Sequence, residues 1–277
     1  MAGKAPVIIG PTGSGKTGVA VEIAEVILEQ LGREVEIIAA DSRTIYRGMD
    51  IGTAKPSLEE RRGVKHYGFD LVEPGERFTV KEFKGYAEEK ITESIKRGKI
   101  PMVVGGTGLY VDALIYDYQF ETPGKGYGRE RGECIKNLNG RKGVLKADDA
   151  EKYPDRQKMC SRYRVFGILW SAEELRARLL KRADKMFVQE LFEETARLVE
   201  KYGWGSQAMK SNIYKFAWSY MRGEVGREEA IRLVATDDWH LAKRQMTWFR
   251  RNPEIEWFSL EEMKPAVIKC IQNEYRK

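Results

Sequence analysis

Gly10-Pro11-Thr12-Gly13-Ser14-Gly15-Lys16-Thr17 follows the apolar run Pro6-Val7-Ile8-Ile9 and precedes a helix-like segment over residues 19–31. Its spacing is G-x-x-x-x-G-K-[ST], and strand, glycine loop and helix in that order are the context a P-loop requires. Glycines let successive backbone N–H groups converge on phosphate oxygens. The helix N-terminus behind them adds partial positive charge. Lys16 supplies a full charge, and the Thr17 hydroxyl suits Mg²⁺. A glycine turn that binds nothing would not need this spacing together with these flanks. The loop therefore implies a polyphosphate ligand, without naming a reaction.

Outward from the loop, apolar β-rich runs recur at residues 7–9, 35–40, 67–71 and 100–104, with helix-like stretches at 19–31 and 80–96 between them. In the second stretch Phe83, Ala87, Ile91 and Ile95 share one face at four-residue spacing. Strands alternating with helices predict an α/β fold, a P-loop NTPase-like parallel sheet with helices on both faces. Ligands in such sheets sit at the carboxyl ends of strands. The P-loop, Asp41 and Gly105-Gly106 all fall at such ends.

Residues 116–163 change in composition and read as a short insertion, with residues 1–115 and 164–277 forming the core. Within it Gly124-Lys125-Gly126-Tyr127-Gly128-Arg129-Glu130-Arg131-Gly132 is glycine-rich and basic, which suits a solvated loop or a nucleic-acid contact. The chain then turns helical, over residues 173–202, 212–222, 227–251 and 260–274. Leu175, Leu179, Ala183, Phe187 and Leu191 form a core-facing stripe.

The 277 residues are 42% hydrophobic and 32% charged, enough for a packed core under a strongly ionic surface. The net charge of +6 suits a polyanionic partner or a basic enzyme equally. No run approaches the roughly 20 apolar residues of a membrane span. The N-terminus lacks a signal-peptide pattern. Cys134, Cys160 and Cys270 lie far apart with no CxxC pair, which argues for reduced thiols in a cytoplasmic protein and against a structural zinc site. His66 and His240, the only histidines, have no metal-ligand spacing and read as packing or surface.

Asp41 ends the run at 35–40 and opens Asp41-Ser42-Arg43-Thr44-Ile45-Tyr46-Arg47-Gly48-Met49-Asp50-Ile51-Gly52-Thr53-Ala54-Lys55-Pro56. A carboxylate there can hold Mg²⁺, serve as a general base, or cap a following helix. The run at 100–104 ends in Gly105-Gly106-Thr107-Gly108-Leu109-Tyr110 with no acid, which weakens a hydrolase reading. Those glycines allow close backbone approach to a ligand, with Thr107 offering a hydroxyl, or simply make a tight turn. Late in the chain, Lys243-Arg244-Gln245-Met246-Thr247-Trp248-Phe249-Arg250-Arg251 lies on a predicted helix. Arg244, Trp248 and Arg251 share one stripe and Lys243, Thr247 and Arg250 the next. Such faces can hold phosphates and stack a base, or form a solvated surface with Trp248 in the core.

Together these segments resemble the tRNA dimethylallyltransferases, also called tRNA isopentenyltransferases. The likeness covers residues 6–116 and 163–251. It is carried by GPTGSGKT at Gly10, DSRTIYRGMDIGTAKP at Asp41 and GKIPMVVGGTGLY at Gly98, with LAKRQMTWFR at Leu241 in support. The resemblance implies transfer of a dimethylallyl group from its pyrophosphate to N6 of the adenosine 3′-adjacent to the anticodon in tRNA. It implies a diphosphate site at Gly10, Thr12, Gly13, Ser14, Gly15, Lys16 and Thr17, joined by Lys215, with Mg²⁺ on Thr17. It implies a catalytic set of Asp41 as base, Lys16, Thr17 and Thr107. It implies RNA contacts from Asp41, Ser42, Arg43, Thr44, Thr107, Tyr214, Lys215, Lys243, Arg244, Gln245, Trp248 and Arg250. The expected partners are tRNA and dimethylallyl pyrophosphate, with no membrane, and the chain is expected to be a monomer.

Three departures stand against that pattern. An arginine usual after the aligned tyrosine is Lys215, which keeps charge but loses bidentate recognition. A threonine–arginine pair before the late basic motif is Asp238-Trp239. The insertion, which normally grips the anticodon stem, is short, and Arg156 and Arg162 are its weak arginine candidates. A small-molecule P-loop kinase using ATP, and an RNA-binding protein gated by nucleotide, are the alternatives. The long motif at 41–56 weighs against the kinase, and the missing acid after Val104 against the gated binder.

Overall fold

The computed structural model describes residues 4–120, 134–136, 142–144, 159–206, 209 and 212–276. Its centre is a six-stranded, all-parallel sheet. The strands are β1 (Ala5–Ile9), β2 (Val35–Ala40), β3 (His66–Tyr67), β4 (Ile100–Gly105), β8 (Tyr163–Ile168) and β9 (Glu256–Phe258), in the order β3-β2-β4-β1-β8-β9. β1, β2 and β4 are buried along their whole length, so they read as continuous apolar runs with little alternation.

Alternate side chains feed two cores. Val7, Ile9, Ile38, Val103 and Val165 pack under α3 (Val80–Lys96) and α4 (Gly108–Ile115). Ile8, Ile37, Met102, Val104 and Phe166 pack under α1 (Lys16–Leu31) and α9 (Leu260–Tyr275). Phe83, Ala87 and Ile91 are buried and Ile95 partly so, which is the face their spacing predicts. The start of α3 is fixed by a reciprocal capping box between Thr79 and Glu82.

The predicted strand at 67–71 is only His66–Tyr67, because Gly68 and Asp70 take φ of 90° and 55° and turn the chain out of the sheet. The predicted helix at 173–202 is two, α5 (Ala172–Met186) and α6 (Gln189–Tyr202), parted where Val188 is extended. The apolar stripe survives the break, since Phe187 stays buried against Phe192 and Tyr220. Beyond lie α7 (Asn212–Met221) and α8 (Arg227–Phe249). β8 and β9 fall in segments not expected to be strands; β8 is a short, mostly apolar run that periodicity cannot separate from helix, and β9 is only three residues long. A short α2 (Leu58–Arg61) precedes β3.

Residues 116–163 open with β5 (Gln119–Phe120), which pairs antiparallel with β6 (Cys134–Lys136), itself paired with β7 (Lys142–Val144). The glycine-rich run at 124–132 and Arg156 lie outside the described residues. Strand order reverses around β1, which sits between β4 and β8. A crevice opens at the carboxyl end of such a switch point, and the P-loop occupies it.

Candidate active site

The ends of β1, β2 and β4 floor a cavity of about 1460 Å³. It is lined by residues 12–18, by Asp41 to Thr44, by Gly105 to Leu109 and by basic residues of α5 and α8. That volume exceeds the roughly 300–1,000 Å³ of ordinary small-molecule sites, leaving space for more than one ligand group. Close approach of β2 and β4 requires glycine at 105, where a Cβ would run into the Ala40 carbonyl.

Gly15, at φ 88°, turns the chain into α1 and caps it without a side chain, so the first-turn N–H groups keep their ligand capacity. The Ser14 hydroxyl is buried without a hydrogen-bond partner. Lys16 folds back, its Nζ donating to the Pro11 carbonyl at 2.7 Å. Burial lowers the Lys16 pKa to about 8, with the nearby Asp41 charge opposing and the Arg182 charge assisting. Thr17 is half-buried beside it.

Four side chains from outside the motif hold the loop. Trp170 Nε1 donates to the Ser14 carbonyl at 3.1 Å, and Arg178 Nε to the Gly13 carbonyl at 3.0 Å. Arg182 Nη1 donates to Thr12 Oγ1 at 2.7 Å and to Asp238 Oδ2 at 2.8 Å. Gln245 accepts from the Thr12 N–H at 2.8 Å and donates to the Gly106 carbonyl at 2.9 Å, so one amide bridges the ends of β1 and β4.

Asp41 Oδ1 accepts the Arg43 N–H at 2.8 Å, which makes a turn. No helix follows it, since residues 42–45 are turn, and this removes the helix-cap reading. Thr107 Oγ1 accepts from the Ser42 N–H at 3.0 Å and lies 3.3 Å from Ser42 Oγ. Asp41, Ser42 and Thr107 therefore stand together, across the cavity floor from Lys16. Arg43 and Thr44 line the same wall, with Thr44 Oγ1 buried and unpartnered.

Lys243, Arg244, Gln245 and Trp248 line the cavity from α8; Arg251 does too, while Arg250 is exposed and outside it. Trp248 is partly buried over Gly108, its Nε1 donating to Asp112 at 2.9 Å, so its ring belongs to the core packing. Tyr214 and Lys215 depart from expectation. Tyr214 is fully buried, and its hydroxyl donates to Glu194 at 2.7 Å. Lys215 is exposed, away from the cavity lining, with its Nζ 5.3 Å from the Phe216 ring centre. Neither can touch a ligand in the cavity in this conformation.

Sequence reasoning missed Arg178, Arg182, Trp170 and His66. The sequence makes His66 a packing or surface residue; it is buried, its Nε2 is unpartnered, and it lines the cavity. Burial lowers its pKa, with its contact to the Val64 carbonyl opposing. The signal for the arginines was their spacing on α5, which puts Arg178 and Arg182 on one helix face.

The sequence profile of the IPP transferase family matches residues 44–147 and 141–252. The chain is 38% identical to the tRNA dimethylallyltransferase of Acetivibrio thermocellus, over 96% of this chain and 95% of that one. It is 35% identical to the enzyme of the same name from Desulforudis audaxviator, over 92% of each. Among solved structures, the full-length tRNA isopentenylpyrophosphate transferase of Bacillus halodurans superposes with a TM-score of 0.76 at 27% identity, covering 99% of this chain and 97% of that one. A eukaryotic dimethylallyltransferase acting on tRNA shares the fold, with a TM-score of 0.75 at 20% identity over 99% of this chain and 80% of that one.

Proposed function

The chain belongs to the IPP transferase family, and on that premise we propose that it moves a dimethylallyl group from dimethylallyl pyrophosphate to N6 of the adenosine 3′-adjacent to the anticodon in tRNA. The observation that carries this reading is the shared cavity of the P-loop, Asp41 and Thr107. A kinase would use the same loop, but no feature of the site favours it.

The allylic carbon–oxygen bond breaks with its electron pair leaving on the diphosphate. The carbon–nitrogen bond forms from the N6 lone pair, and the N6 proton goes to an Asp41 oxygen. The leaving polyanion needs fixed positive charge and donors. Lys16, the first turn of α1 and the Ser14 hydroxyl supply them. The adenine amine is a weak nucleophile, so a carboxylate within reach contributes as general base. The target base must leave its stack to enter a cavity this deep. Ser42 and Thr107, bonded to each other, fix the wall that meets it.

Among the described residues no cluster of three acidic, histidine or cysteine side chains could hold a metal alone. Mg²⁺ takes few protein ligands and is otherwise held by substrate phosphates and water. Thr17 would hold it, and it would neutralise charge on the departing diphosphate. The RNA phosphates would meet Lys243 and Arg244. We further propose a monomer working in the cytoplasm. No helix among the described residues is long and apolar enough to cross a membrane.

The test supplies labelled dimethylallyl pyrophosphate and unmodified tRNA. Mg²⁺-dependent label in RNA is expected. Phosphate transfer from ATP with unlabelled RNA would replace this reading with the kinase.

A further inference from the structure

The cavity assigned to a diphosphate contains a carboxylate that ligand binding alone does not call for. Asp238, on α8, reaches the P-loop rim through a single nitrogen. Arg182 Nη1 is bonded at once to Asp238 Oδ2 at 2.8 Å and to Thr12 Oγ1 at 2.7 Å. Both side chains line the cavity and are about three-quarters buried, at 26% and 24% exposure. Asp237 lines it too, so two acids in sequence face a site built for a polyanion. This is also where the sequence departs from the pattern of its family, with Asp238-Trp239 in place of a threonine–arginine pair. Trp239 explains its own half of the change. It packs with Leu175, Leu179 and Ala242 between α5 and α8, under the Arg176 guanidinium at 4.5 Å.

We propose that Asp238 is a positioning residue that competes with the diphosphate for Arg182, holding the guanidinium on Thr12 in the empty enzyme and yielding it when the anion binds. The inference rests on the diphosphate reading above. Its physical basis is charge. Lys16 and Arg182 lie closely enough for the Arg182 charge to lower the Lys16 pKa. Asp238 neutralises one of the two cations until the ligand arrives. A bound diphosphate offers the guanidinium a more highly charged, bidentate partner than one carboxylate oxygen. The displaced carboxylate then remains beside the anion and opposes it, which weakens retention of the pyrophosphate product. Burial raises the Asp238 pKa while Arg182 lowers it, so the carboxylate owes part of its ionisation to the group it would release.

The experiment measures binding of inorganic pyrophosphate with Mg²⁺ to the full chain by calorimetry. It compares wild type, Asp238→Asn, Asp238→Thr, Arg182→Gln and the Asp238→Asn/Arg182→Gln double variant. Removing a like charge this near the ligand is expected to tighten binding by about tenfold. In the Arg182→Gln background the gain should shrink to what removing the like charge alone gives, and a gain of undiminished size there overturns the competition. A merely structural Asp238 would give no gain and would lower the melting temperature, which is followed alongside; Asp238→Thr guards against an asparagine that packs badly. Unchanged or weaker binding in both folded Asp238 single variants overturns the competition. If wild type transfers label to tRNA while Asp238→Asn binds pyrophosphate no more tightly, only the competition falls. If wild type binds no pyrophosphate, the diphosphate reading falls with it.

Discussion

At the scale of single residues, the proposed chemistry rests on two groups that line the cavity, Asp41 and Lys16. Asp41 is tied by one bond to the Arg43 N–H, which leaves its second oxygen for a proton. Asp41→Asn keeps that bond and removes the base. Turnover is expected to drop by about 10²-fold or more, in line with the loss of a general base. RNA affinity measured by filter binding should hold; equal turnover in the two proteins would take the base role from Asp41. Lys16 gives a pH signature. Its pKa is lowered to about 8, so below pH 8 the ammonium is charged and ready for an anion. Above pH 8 the empty enzyme has lost that proton, and a diphosphate must bring it back. Pyrophosphate affinity should therefore fall as pH rises through 8, with proton uptake on binding visible as heat that varies with the buffer. Lys16→Met should remove the component of this slope that belongs to the protein, and identical profiles for both proteins would exclude Lys16 as its source. For folding the sign is opposite. The folded chain binds fewer protons than the unfolded one between about pH 8 and the ordinary lysine value of 10.5, so this residue's penalty is relieved as pH climbs across that window.

Between elements, the loop at 41–56 is held from below by α6. Glu194 is buried, and its carboxylate accepts the N–H groups of Asp50, Ile51 and Gly52 at 2.9, 3.0 and 2.9 Å. Tyr214, from α7, donates to the same carboxylate and fills the space against Gly52. Burial and the neighbouring Glu194 charge push the Tyr214 pKa far up, so it stays a donor at every working pH. Tyr214→Phe deletes one bond to a charged acceptor and should cost about 1.5–3 kcal/mol. For a chain of this size each kcal/mol is worth about 2–4 °C. A thermal melt that moves by less than a degree would show that the bond contributes nothing. This contact also explains how far the sequence could be read. The P-loop, Asp41 and Thr107 were legible because strand, turn and glycine spacing are local properties. Tyr214 is expected from the sequence to touch RNA but is buried, because the partner that holds it stands twenty residues earlier on another helix. Arg178 and Arg182 were passed over for the same reason. On one helix they are ordinary basic residues, and only the packing of α5 against α8 brings them to the P-loop, where they bond the Gly13 carbonyl and Thr12 Oγ1. β8 was missed because a six-residue apolar strand carries no period that excludes a helix.

For the whole molecule, the balance of charge matters more than its modest size suggests. The net charge of +6 is spread over a chain with 42 acidic residues, so it cannot by itself attract RNA strongly. Its distribution can. Lys181, Lys185, Lys243 and Arg244 all line the one cavity, from two helices that pack side by side. Lys181, Lys185, Lys243 and Arg244 are exposed, so a polyanion reaching over the cavity mouth meets them without displacing core contacts. Each phosphate neutralised releases condensed counterions, and about four contacts give a slope of roughly −3 in log affinity against log salt. Raising salt from 50 to 200 mM should then weaken binding of an anticodon stem–loop by about 50-fold. Lys243→Glu should lower the slope by at least about one contact's worth, roughly 0.7, while leaving pyrophosphate binding at the P-loop close to wild type. The two measurements separate the surfaces. A salt slope near zero, or one that Lys243→Glu does not change, would place the RNA elsewhere on the molecule. It would leave the diphosphate cradle standing without its proposed acceptor.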